Sequence, residues 1–118
     1  MTLKECYAAL EGNYDEVVGR LCSERLVQKF VLKFLQDGSY KLLCDSMETG
    51  DWNEAFRASH TIKGMCQNLG FTMLGASADA LTEALRGGNF TGAEKLFAQV
   101  KEDYGKTESA IKTLKASL

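Results

Sequence analysis

The residues best suited to chemistry lie close together, in the stretch DWNEAFRASHTIKGMCQNLG from Asp51 to Gly70. His60 is the only histidine in the chain. A neutral imidazole keeps a lone pair at pH 7 and can act as a nucleophile or as a proton carrier. If the stretch is helical, a turn of about 100° per residue gathers Trp52, Ala55, Ser59, Ile62, Cys66 and Leu69 on one broad apolar face. His60 then falls on the opposite side with Asn53, Arg57, Gly64 and Gln67, so it is expected to face solvent.

Gly64 is unusual in such a helix. An interior glycine costs roughly 1 kcal/mol relative to alanine, and a solvent face does not demand one. Helical side chains lean toward the N-terminus, so a side chain at position 64 would lie back over His60. Its absence leaves the imidazole open to another molecule. Lys63 leans the same way, and its ammonium is expected within reach of a dianionic group mounted on the ring. Gln67, one turn beyond the gap, offers an amide donor to the same group. Phe56, one turn before, borders the histidine and offers a partner an apolar contact, with Arg57 beside it as a positive charge. These residues describe an accessible nucleophile next to a cation. They do not name a reaction, and an incidental surface histidine beside a packing glycine would look the same.

The elements that position this face read as helices throughout. Proline is absent, no strand-length alternation appears, and apolar residues recur at helical spacing. Gly12, Gly38, Gly50, Gly70 and the Gly87-Gly88 pair suit positions just past helix ends. Thr2 with Glu5, Asn13 with Glu16, Asp51 with Glu54 and Thr91 with Glu94 match or resemble capping boxes, and Ser23 is a further N-cap. Helices are predicted over about 3–10, 14–21, 24–36, 39–49, 51–69 and 71–86. The pair flanking Gly38 can also be read as one bent helix. A last helix carries the stripe Phe97, Val100, Tyr104, Thr107, Ile111, Leu114 and Leu118. Short connections force antiparallel neighbours. The expected fold is all-α: an antiparallel up-and-down four-helix bundle over about 23–117, with short N-terminal helices in 1–22, forming a single domain over 1–118.

Composition narrows the function further. A chain of 118 residues with net charge −2 offers no cationic field for nucleic acid or an anionic membrane. No apolar run approaches the roughly 18–20 residues of a membrane span. The start, MTLKECYAALEG, does not read as a secretory signal. Cys6, Cys22, Cys44 and Cys66 form no C-x-x-C pair, and one histidine cannot complete a mixed zinc site. Reduced thiols, no metal and a cytoplasmic setting are therefore expected; a cysteine-rich metal-binding bundle is the weaker reading. No glycine-rich phosphate loop is visible, which argues against an ATP-dependent kinase.

The run His60-Thr61-Ile62-Lys63-Gly64, followed by Gln67-Asn68-Leu69-Gly70, resembles the signature of the histidine-containing phosphotransfer family. That signature is H-x-x-K-G with a further glycine six residues on. The turn Glu48-Thr49-Gly50-Asp51-Trp52 is similar too, and the resemblance spans roughly Ser23 to Gly88. It implies a phosphorelay intermediate of two-component signal transduction, with His60 as phosphoacceptor through Nε2, Lys63 stabilising the phosphorylated state and Gly64 keeping the approach clear. The implied partners are response-regulator receiver domains, one of them donating from phosphoaspartate, and a hybrid sensor histidine kinase acting through such a receiver. Magnesium would belong to the receiver, so no cofactor is implied for this chain. Family members often present a glutamine from the following helix. Reflecting His60 through the turn at Gly70 lands near 80–82, where this sequence has Thr82, with Arg86 a turn later; both are candidate second-helix contacts. Met65 is bulkier than the small residue usual there. A helical adaptor that binds a receiver or kinase without relaying phosphate is the alternative, and the presence of both His60 and Lys63 argues against it.

Overall fold

The computed structural model describes residues 1–118 as seven α-helices: α1 Leu3–Ala9, α2 Tyr14–Leu21, α3 Glu24–Phe34, α4 Ser39–Thr49, α5 Trp52–Leu69, α6 Thr72–Arg86 and α7 Phe90–Ala116. Tight turns after Thr49, Leu69 and Arg86 fold α4–α7 into an antiparallel up-and-down bundle, with α5 packed between α4 and α6 and α6 between α5 and α7. The three short N-terminal helices close the end where α5 turns into α6. No helix is long and apolar enough to cross a membrane.

The apolar periodicity explains which faces are inside. Ala55, Ser59, Ile62, Cys66 and Leu69 of α5 are buried, as are Leu74, Ala78, Leu81 and Leu85 of α6. Val100, Tyr104, Thr107, Ile111 and Leu114 of α7 complete the seam, whereas Leu118 lies past the helix end and is exposed. In α3, Val27, Val31 and Phe34 are buried, while Phe30 sits at the rim of the stripe and is exposed. A run of aromatic rings ties the closing helices to the bundle. Tyr14 meets Tyr7, Tyr7 meets Phe71, Phe71 meets Phe34 and Phe34 meets Tyr104, with centroids 5.4–5.8 Å apart. Tyr40 of α4 then stacks on Tyr104 at 3.6 Å. Such pairs add about 0.5–1.5 kcal/mol each beyond the area they bury.

Most caps follow the sequence pattern. Thr2 and Glu5 form a complete capping box, and the side chains of Asn13, Ser23 and Asp51 each accept a bond from the amide three residues on. Helix α7 departs from it. Its N-cap is Asn89, which accepts from Gly92 N at 3.0 Å, instead of Thr91. Asparagine directly after Gly88, whose φ is +75°, lets the helix start two residues earlier. Gly38 is not a left-handed stop either: with φ −87° it is the N-cap of α4, so α3 and α4 are separate helices.

Gly12 and Gly70 serve one tight approach. Asn13 N donates to Gly70 O at 3.0 Å, and a Cβ on Gly12 would sit 2.8 Å from that same oxygen. The left-handed residue in this turn is Glu11, not Gly12. Gly70 itself has φ +68°, and its Cβ would lie 2.6 Å from Val17 Cγ2. Gly70→Ala is therefore expected to lose about 2–3 kcal/mol of stability, from backbone strain and a backed-up contact together. Urea unfolding monitored by circular dichroism checks this. Gly50→Ala, where the nearest side-chain atom would be 3.8 Å away, should lose less than half as much.

Candidate functional site

Helix α5 is fixed at both ends, and this sets the orientation of its outer face. Asp51 Oδ1 accepts from Glu54 N at 3.3 Å at the start. At the other end Tyr7 Oη donates to Leu69 O at 2.6 Å within the core. The Arg20 guanidinium donates to Gln67 O at 3.3 Å and also to Asn68 O. These donors satisfy carbonyls that a helix terminus would otherwise leave unpaired and place a cation at its negative end. With its apolar face locked between α4 and α6, α5 turns Asn53, Arg57, His60 and Gln67 outward, all exposed, with Gly64 half-exposed among them.

The imidazole of His60 lies parallel to the Phe56 ring, at 2° and with centroids 6.0 Å apart. Phe56 is half-buried against the core. The Arg86 guanidinium sits 5.0 Å from the Phe56 ring centroid, a cation–π contact. Arg86 also pairs with Glu83 at 3.3 Å. The Phe56 ring is thus contacted both by the imidazole of α5 and by a cation of α6. Arg57 is 74% exposed and pairs with Glu54 at 2.8 Å. On the C-terminal side of His60 the surface is open: a Cβ built on Gly64 meets nothing within 4 Å.

Three residues expected around the ring sit differently from the sequence reading. Lys63 Nζ lies 2.8 Å from Asp79 Oδ1 of α6, so its ammonium bridges the two helices. Gln67 is exposed in the same polar groove of about 420 Å³, which Lys63 and Asp79 also line. About 10 Å of helix rise separates Gln67 from His60. Thr82 is fully buried. Its hydroxyl lies 2.9 Å from Ser59 Oγ and donates to Ala78 O at 2.7 Å. The reflection through Gly70 found the correct height on α6. A side chain at that height that points into the seam meets Ser59, on the buried face of α5, because His60 is on the outer face. Thr82 is thus a buried link between α5 and α6, not a contact of the imidazole. Asp79 was missed, although the same reflection applied to Lys63 lands beside it.

Of the four cysteines only Cys66 borders the groove that Lys63, Gln67 and Asp79 line. Cys6 and Cys66 are buried, Cys44 is half-buried and Cys22 is exposed, all unpaired. Burial raises the Cys6 thiol and pushes Cys66 up to about 12. Alkylation needs the thiolate and access to it. Iodoacetamide at pH 8 is therefore expected to modify Cys22 first in the folded protein and to reach Cys6 and Cys66 only after unfolding, as peptide mass spectrometry would show.

This arrangement suits accepting and giving up a group at one exposed nitrogen, with cationic side chains close by. The comparisons with known proteins agree. The family model of the Hpt domain matches residues 22–110, from the end of α2 to the last third of α7. No curated protein and no solved structure matches the chain significantly. Hpt domains are phosphotransfer intermediates of phosphorelays that interact with receiver domains. The helical bundle, the matched span and the outward-facing histidine of α5 together place the chain in the Hpt domain family.

Proposed function

We propose that His60 accepts a phosphoryl group from phosphoaspartate on one receiver domain and passes it to another. The observation that carries this reading is the exposed His60 imidazole, one turn before Gly64, where a Cβ would meet no side chain from a neighbouring helix within 4 Å. Attack by the Nε2 lone pair forms the N–P bond as the P–O bond to the donor aspartate breaks, and the carboxylate leaves with the bonding electrons. The ring enters with its proton on Nδ1, gains positive charge as the new bond forms, and releases that proton to water. Transfer in the other direction reverses each step. Little covalent machinery is required of the protein, so positioning and charge neutralisation suffice.

The magnesium ion and the carboxylates that hold it belong to the receiver in this reading. The partner surface centres on His60 and takes in Phe56, whose face is flanked by Arg86, and the exposed Arg57. Both cations face where the acidic pocket of a receiver would sit. A hybrid sensor histidine kinase enters as the upstream source, acting through its receiver. The residues span a single domain over 1–118, and four unpaired thiols support a reducing cytoplasmic setting.

Incubation with receiver domains charged by acetyl phosphate tests the proposal. The chain should acquire phosphate that is labile in acid and stable in base, the signature of a phosphorylated histidine. Stable binding of a charged receiver with no label on the chain would instead identify a helical adaptor.

A further inference from the structure

We propose that Asp79 is a positioning residue for phosphoryl transfer. It holds the Lys63 ammonium in the α5–α6 groove while His60 is unmodified and releases it when the imidazole carries a phosphoryl group. The inference rests on the reading of His60 as the phosphoacceptor.

The Lys63–Asp79 pair stands apart from the other ion pairs of the molecule. Those five lie within single helices, between residues three or four apart. Only Lys63–Asp79 crosses between helices, and at 2.8 Å it equals the shortest of them. Its cation is also the least exposed, at 22%, against 43–74% for the others. Neither partner has a second ion pair. The ammonium is thus confined to one carboxylate and kept close to the protein surface, three residues from His60.

Geometry and charge make that confinement reversible. Lys63 follows His60 by about 4.5 Å of rise, and Gly64 beside it adds no side chain between the two. A phosphoryl dianion on Nε2 is a stronger attractor than a single carboxylate. Asp79 is half-exposed, at 51%, so water takes over its solvation when the lysine leaves. A deeply buried aspartate would hold the cation permanently. Lys63 breaks no covalent bond in the exchange and only changes its hydrogen-bond acceptor.

The consequence is a carrier tuned for onward transfer. The phosphorylated state gains Lys63 only by giving up the Asp79 pair, so phosphohistidine is held less tightly than an unpartnered lysine would hold it. Half-exposed pairs of this kind are weak, and the offset is correspondingly modest.

The test reads the equilibrium ratio of phosphohistidine to phosphoaspartate in mixtures with a receiver domain that labels the wild type. Asp79→Asn is expected to raise that ratio about threefold to fivefold, and Asp79→Glu to restore it. In a Lys63→Gln background, Asp79→Asn should leave the ratio unchanged, because no ammonium remains to be released. An unchanged ratio for Asp79→Asn alone overturns the inference. So does an equal rise in the Lys63→Gln background, which would mean that the Asp79 charge acts on the phosphoryl group directly. Wild type that takes up no phosphate from any receiver overturns the phosphoacceptor reading, and this inference with it.

Discussion

With His60 replaced by glutamine, phosphoryl transfer from any receiver falls to background. Glutamine keeps a polar side chain of similar reach but has no nitrogen lone pair free to attack phosphorus, because the amide nitrogen donates its pair to the carbonyl. The chain holds one histidine, so no second imidazole can take over, and the label is lost completely. The protein should remain folded. His60 is exposed, and its one aromatic neighbour, Phe56, is 6.0 Å away between centroids. Surface substitutions away from special features usually change stability by less than about 0.5 kcal/mol. Thermal unfolding by circular dichroism run alongside the labelling separates loss of the nucleophile from loss of the fold. Acid-labile label that persists on His60→Gln would place the phosphoacceptor elsewhere and remove the basis of the proposed function.

The bundle was legible because its signals act locally. Each of α1, α2, α3 and α5 begins at a side chain that could be read as a cap in the sequence, and each does bond the amide three residues on. Gly50 and Gly70 end α4 and α5 in the left-handed conformation, as their position after an apolar run suggests. Gly12 was misjudged for a different reason. What it provides is room for a second backbone 58 positions away in the chain, at Gly70, and no local pattern encodes such an approach. Asn89 displaced Thr91 as N-cap because two capping residues competed within three positions, and the one next to the left-handed Gly88 is used.

At the site, helical phase told inside from outside and failed across helices. It placed His60, Arg57 and Gln67 on the exposed side and Ser59 and Ile62 in the core, all as observed. It gave no direction for side chains on α6. Height alone paired Thr82 with His60, whereas the seam pairs Thr82 with Ser59. For Lys63, spacing along α5 pointed to the imidazole, but a carboxylate on the facing helix competes for the same ammonium. A long flexible cation goes to the nearest anion, and in the unmodified protein that is Asp79. The lesson is specific to ionic side chains: their partner depends on charges in the neighbouring helix, which periodicity within one helix does not register.

Gly64→Leu is expected to slow transfer from a receiver about 100-fold while stabilising the protein. The two effects have separate causes. Inside α5 a glycine is the costlier residue, and nothing outside its own turn of helix lies within 4 Å of a Cβ at this position, so a helix-favouring side chain meets no clash with a neighbouring helix. Gly64→Ala should gain about 1 kcal/mol, which for a chain of this size raises the melting temperature by about 4 °C, with leucine close behind. Transfer moves the other way. A leucine at 64 leans back along α5 over His60 and holds the partner's phosphoaspartate away from in-line contact, and displacements of about 1 Å can cost 100-fold. Alanine, with a single methyl, should slow transfer only several-fold. A small donor distinguishes blocked docking from a damaged nucleophile. Phosphoramidate needs no protein surface, so it should still label His60 in Gly64→Leu within a few-fold of the wild-type rate. A variant that is stabilised, labelled normally by phosphoramidate and poor with receivers would show that Gly64 is kept for access. If receivers transferred to Gly64→Leu as fast as to wild type, docking would not pass over this turn of α5, and the approach to His60 would have to come from the Phe56 side.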